Sequence, residues 1–118
     1  MDNLISIEEQ EFTLIGKKTR LSGVFNFNGL THIAGTIEGD LNIKDKSLLT
    51  IEESSEIEGK INCADLKIFG KVKGEIHSSG KVEIFPSGII QGLIKSQNLV
   101  IHPGAIINID GHTTGTGH

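Results

Sequence analysis

Five times in 118 residues the chain writes nearly the same phrase: an apolar residue, a second residue, glycine, a fourth residue, and another apolar one. The copies are Leu21-Ser22-Gly23-Val24-Phe25, Ile37-Glu38-Gly39-Asp40-Leu41, Ile57-Glu58-Gly59-Lys60-Ile61, Val72-Lys73-Gly74-Glu75-Ile76 and Ile90-Gln91-Gly92-Leu93-Ile94. A shorter apolar phrase recurs as Thr31-His32-Ile33, Leu49-Thr50-Ile51, Leu66-Lys67-Ile68, Val82-Glu83-Ile84 and Leu99-Val100-Ile101. Its third positions fall 18, 17, 16 and 17 residues apart. Self-similarity at so steady a spacing marks an array of stacked units, each too small to bury its apolar face alone.

Within a unit, apolar and polar residues alternate, as in Leu66, Ile68, Val72 and Ile76. Period-2 alternation sends one set inward and the other to water, which makes the units strands. Between the two phrases the chain either passes through a short link, Phe69-Gly70-Lys71, or turns through Glu52 to Glu56, Phe85 to Ile89 and His102 to Ile106. Pro86-Ser87-Gly88 and Pro103-Gly104 supply turn chemistry there, since proline presets φ and glycine accepts positive φ. The fold class expected is all-β, a single-domain parallel β-helix, or solenoid, of about six coils. At the interstrand spacing of roughly 4.8 Å, six coils make a core about 29 Å long. An antiparallel sandwich is the competing architecture, but it needs hairpin turns, and Asn28-Gly29 alone has that character.

The recurrent glycine marks a place where the interior is too narrow for a side chain or where the backbone bends. Stacking also places outward residues in columns. Asp40, Lys60 and Glu75 share one, Lys67 and Glu83 another, so that opposite charges meet across strands and help to fix register. Phe69 and Phe85 form an aromatic column leading to His102, a candidate lateral or partner contact, or a surface beneath a terminal segment.

Composition narrows the function. Hydrophobic residues make up 36%, with five Phe and neither Tyr nor Trp, which suits a thin interior of Ile, Leu and Val. The net charge of -4, with eleven basic residues dispersed among fifteen acids, argues against nucleic acid as partner. No run approaches the roughly 18 apolar residues of a membrane-spanning helix. The lone Cys63 forms no internal disulfide and reads as a small corner residue rather than a reactive thiol. Nothing at the start reads as a secretory signal, so the expected location is the cytosol.

With the coils laid out, Ile15-Gly16, Leu21-Ser22-Gly23 and above all Ile33-Ala34-Gly35-Thr36-Ile37-Glu38-Gly39-Asp40-Leu41 resemble the bactofilins, bacterial cytoskeletal proteins with a central polymer-forming domain. The resemblance runs from about Thr13 to Gly111, leaving residues 1–12 as an N-terminal tail and 112–118 as a flexible C-terminal one. It implies a right-handed, roughly triangular β-helix. Protomers would join head to head and tail to tail into non-polar filaments without nucleotide or other cofactor. The filaments would scaffold cell-shape and cell-wall enzymes, and a tail would attach them to the inner face of the membrane.

Residue chemistry points the same way for self-association. The end coils of a solenoid expose unpaired backbone groups and the cross-section of the core, and no capping helix is evident here. Leu99, Ile101, Ile107 and Ile109 are therefore the candidate C-terminal junction, and Leu21, Phe25 and Phe27 the N-terminal one. In the tail, Leu4, Ile5 and Ile7 are the candidate membrane contact, opposed by Asp2, Glu8, Glu9 and Glu11 with no basic residue before Lys17. The alternatives for this tail are disorder or a strand along the first coil. His112 and His118 belong to a glycine- and threonine-rich tail rather than a metal site.

Two other classes of solenoid compete. A left-handed hexapeptide-repeat enzyme, an acyltransferase or gamma-type carbonic anhydrase, needs an aliphatic residue at every sixth position and histidines converging at a subunit interface. The sixfold register breaks here, and His32, His77 and His102 fall on different coils. An ice- or carbohydrate-binding solenoid needs a ladder that Thr31, Thr36 and Thr50 do not make. No catalytic, cofactor-binding or metal-ligating set is expected.

Overall fold

A computed structural model describes residues 12–44 and 46–109. The strands are β1 (Phe12–Ile15), β2 (Arg20–Phe27), β3 (Leu30–Ile33), β4 (Thr36–Ile43), β5 (Leu48–Ile51), β6 (Glu56–Cys63), β7 (Asp65–Ile68), β8 (Lys71–Ser78), β9 (Lys81–Ile84), β10 (Ile89–Lys95), β11 (Asn98–Ile101) and β12 (Ile106–Ile109). The odd strands form one six-stranded sheet in the order β1-β3-β5-β7-β9-β11, and the even strands another, β12-β10-β8-β6-β4-β2. Each consecutive pair, such as β3 with β4, makes one coil, giving six.

Every described pairing is parallel. The solenoid therefore stands and the sandwich falls. Asn28-Gly29, the one hairpin-like pair, joins β2 to β3 across two different sheets, with Gly29 at φ 81°. The registers reproduce the repeat alignment: Ile33 lies on Ile51, Ile51 on Ile68, Ile68 on Ile84, and Ile84 on Ile101.

The interior is filled by those columns. Ile33, Ile37, Leu41, Leu49, Ile51, Ile61, Ile68, Ile76 and Ile84 are fully buried, each contributing about 1.5–3 kcal/mol relative to exposure. Unequal coil lengths are absorbed at corners, as links of one or two residues or turns of four. The turns take Glu52 to Ser55, Phe85 to Gly88 and His102 to Ala105, each one residue shorter than the sequence suggests because Glu56, Ile89 and Ile106 already pair in strands. Hydrogen bonding continues past the strand ends: Phe69 N donates to Ile51 O at 2.8 Å and Phe85 N to Ile68 O at 2.9 Å. Corner hydroxyls hold the coil below, Ser55 Oγ donating to Gly35 O at 2.8 Å and Ser87 Oγ to Phe69 O at 2.7 Å.

The glycine column occupies the fourth position of every even strand from β2 to β10. Gly23, Gly39, Gly59, Gly74 and Gly92 all adopt φ between 130° and 138°, a region that L side chains rarely enter. A Cβ on Gly39, Gly59, Gly74 or Gly92 would lie 1.9–2.0 Å from the carbonyl oxygen of the glycine beneath. The obstacle is thus the neighbouring backbone, and not a shortage of interior room.

Candidate assembly surfaces at the two open ends

Among the described residues, no element covers the core columns at either end. Ile33, Ile51, Ile68 and Ile84 are each 0% exposed, whereas Ile101, the next member of the same column, is 45% exposed. Leu99 remains buried beside it at 8%, and Ile107, stacked on Ile90, is partly buried against the core. Ile109 pairs with Gly92 through its backbone, and its side chain lies outside the described residues. At the opposite end Leu21, Phe25 and Phe27 lie beneath Ile37, Leu41 and Ile43 and are likewise partly buried. The Phe25 and Phe27 rings stand 6.2 Å apart, inclined by 17°. The sequence-predicted residues thus sit on the first and last coils, on two separate end faces.

Four residues on those coils escaped the sequence reading. Leu14 is 64% exposed, Val24 66%, Ile106 59% and Val100 37%. They point outward, in columns that are polar through the middle of the stack. One column runs Leu14, His32, Thr50, Lys67, Glu83, Val100; another runs Val24, Asp40, Lys60, Glu75, Leu93. The signal was present in the aligned repeats, as an outward position that turns apolar only near the ends. Such a change widens the apolar end faces beyond the core itself.

On a corner, Phe69, Phe85 and His102 stack as the repeat implies. The Phe69 and Phe85 rings lie 4.2 Å apart at 9°, and the Phe85 and His102 rings 4.8 Å apart at 15°. All three are half-buried. His102 Nε2 donates to Glu83 Oε2 at 2.8 Å, and this hydrogen bond holds the Glu83 carboxyl below the usual value, with Lys81 and Lys67 adding to it. Two further pairs repeat the theme: His32 Nδ1 with Glu52 Oε2 at 2.8 Å, and His77 Nε2 with Glu75 Oε1 at 3.0 Å. The last bond lowers the Glu75 carboxyl, helped by the charges of His77, Lys60 and Lys95. Each imidazole is thereby committed to a carboxylate of its own coil or a neighbouring one.

Cys63 closes β6 with its side chain in the core, not at a corner; burial, with Asp65 nearby, pushes its thiol up to about 12. Among the described residues no three His, Cys, Asp or Glu side chains gather as a metal site, and no helix is long and apolar enough to cross a membrane. Leu4, Ile5 and Ile7, the candidate membrane contact, lie outside the described residues, as do His112 and His118.

A stack of parallel coils with two apolar ends is an architecture shared by unrelated families, so sequence similarity must decide among them. A family profile described as bactofilin, polymer-forming cytoskeletal, matches residues 13–114. The chain belongs to the bactofilin family. Bactofilin BacO of Myxococcus xanthus (strain DK1622) is 31% identical to this bactofilin over 93 residues, covering 79% of the present chain and 72% of that relative. No solved structure matches the chain significantly. The matched region spans all six coils, so both end faces of this bactofilin fall inside the part that carries the family's polymer-forming description.

Proposed function

We propose that this bactofilin is a cytoplasmic scaffold subunit whose copies join through their end coils, like end to like end, into non-polar filaments that require no nucleotide. The observation that carries the reading is the core column: fully buried at Ile84, it is 45% exposed one coil later at Ile101. Exposed apolar cross-section and unpaired strand edges are the two features that a second copy of the same coil satisfies at once, by apolar burial and by continuing the backbone ladder. Ile101 and Ile107, with Leu99 and Ile109, form the C-terminal junction, and Leu21, Phe25 and Phe27 the N-terminal one. The rod would then serve as a support on which cell-wall or cell-shape enzymes are held, rather than as an enzyme. The stacked Phe69 and Phe85 offer such a partner a half-buried aromatic ridge along the filament side.

The test is electron microscopy of the purified protein in buffer without nucleotide. Unbranched threads whose axial repeat matches two stacked protomers support the reading. Discrete trimers, or threads that form only with nucleotide, overturn it.

A further inference from the structure

One side of the rod carries a recess that end-to-end assembly does not use. It lies on the corner where each even strand hands over to the next odd strand. Successive corners there differ in length: 44–47 is four residues, 64 is one, and 79–80 is two. A groove of about 620 Å³ runs along these corners, from Ile43 past Ala64 to Ser79 and Lys95. Lys44, Lys46, Lys95 and His77 surround it, Ile43 and Ala64 contribute apolar floor, and no carboxylate is among the described residues that line it. Asp45, between two of the lysines, lies outside the described residues. Glu75, close by, is engaged with His77 at 3.0 Å.

Residues 1–11 carry the complementary chemistry. They hold four carboxylates, Asp2, Glu8, Glu9 and Glu11, with no Lys or Arg, and the apolar residues Leu4, Ile5 and Ile7. They also join the fold at the right place. Phe12 opens β1 in register with Leu30, and the first residues of the later odd strands, Leu48 and Asp65, follow directly on the grooved corner. The chain therefore enters the rod on the same corner, below the groove. The nearest groove-lining corner lies about 10 Å up the stack at ~4.8 Å per coil. Eleven residues extend to about 36 Å.

We infer that residues 1–11 dock into the Lys44, Lys46 and Lys95 groove of their own chain, with the carboxylates against the lysines and the apolar side chains against the floor. Docking there covers the rod's lysine-lined recess and withholds both from outside partners, anionic membranes included.

Zero-length carbodiimide coupling of the full-length protein, with products mapped by mass spectrometry, tests the placement. Links from Glu8, Glu9 or Glu11 to Lys44, Lys46 or Lys95 within the single-chain band are expected. Coupling of those carboxylates only to Lys17, Lys18, Lys71 or Lys73, or groove links found only between chains, overturns the inference. A second readout avoids removing the coupled amines trivially. Cleavage after Glu8 or Glu9 by a glutamate-specific protease should be about fivefold faster or more in the Lys46→Glu, Lys95→Glu variant, because cleavage follows the open population. An unchanged rate, or an unchanged rate together with loss of binding to phosphatidylglycerol vesicles, assigns the groove to another occupant and overturns the inference.

Discussion

Gly59 stands directly over Gly39, and a Cβ on Gly59 would come within 2.0 Å of the Gly39 carbonyl oxygen. Contact that close cannot be relieved by rotating a side chain, because both partners are backbone. The coil must lift or the bend must open.

Gly59→Ala should therefore cost at least about 3 kcal/mol, combining backbone strain with the broken ladder. Gly23 shares the positive φ, at 130°, but nothing among the described residues lies within 4 Å of its Cβ position, because it belongs to the first described coil. Gly23→Ala should cost only about 1–2 kcal/mol, the strain alone. Side-by-side thermal unfolding checks the order of the two, and equal losses would show that stacking is irrelevant to this glycine.

Ile107 carries the assembly prediction. Ile107→Arg places a charge on the open end face, where a second copy would have to bury it unpaired, at a cost of several kcal/mol. Folded, dispersed protomers are expected by circular dichroism and analytical ultracentrifugation. Gln91→Arg, on an exposed outward column one coil below, should leave assembly intact. Threads from the Ile107 variant would remove this residue from the junction.

Acid should loosen the last two coils first. The hydrogen bond from His102 depresses the Glu83 carboxyl in the folded protein, so its contribution is fully present above the ordinary glutamate value and is lost as pH falls through the lowered one. Between about pH 5 and 3, Glu83→Gln should flatten the decline in stability. Pairwise melting of wild type and variant across that range measures it; parallel curves would mean that Glu83 contributes nothing.

Cys63 should be inert while the protein is folded. With its thiol pushed up to about 12 from a reference of 9.0, the thiolate fraction at neutral pH falls about a thousandfold, and burial blocks access as well. Alkylation should proceed only with unfolding, so that denaturant raises the rate sharply. Rapid labelling of the native protein would contradict the buried placement.

The coil stack itself was legible from residue order. Alternation assigns Leu66 and Ile68 inward and Lys67 outward without reference to anything distant, and the spacing of Ile33, Ile51, Ile68, Ile84 and Ile101 sets the register of every coil on the next. Parallel stacking makes sequence neighbours at one coil's distance into spatial neighbours, so charge and aromatic columns such as Lys60 over Asp40 and Phe85 over Phe69 could be written down in advance. The two ends were legible by the same rule, since a first and a last coil have neighbours on one side only.

Other features depended on three-dimensional arrangement. Leu99 and Ile101 look alike in the repeat, yet one is 8% and the other 45% exposed, because exposure at an end depends on what the adjoining backbone fails to cover. The coupling of His102 to Glu83 and of His32 to Glu52 needs side chains from two coils to meet across a corner, which no spacing specifies. Corner lengths are printed in the chain, but the recess they leave between Lys44 and Lys95 exists only after the corners are piled one on another. Strand pattern and coil order follow from local alternation and a near-constant period; surface shape, end exposure and proton affinity follow from which atoms stand above, below or absent.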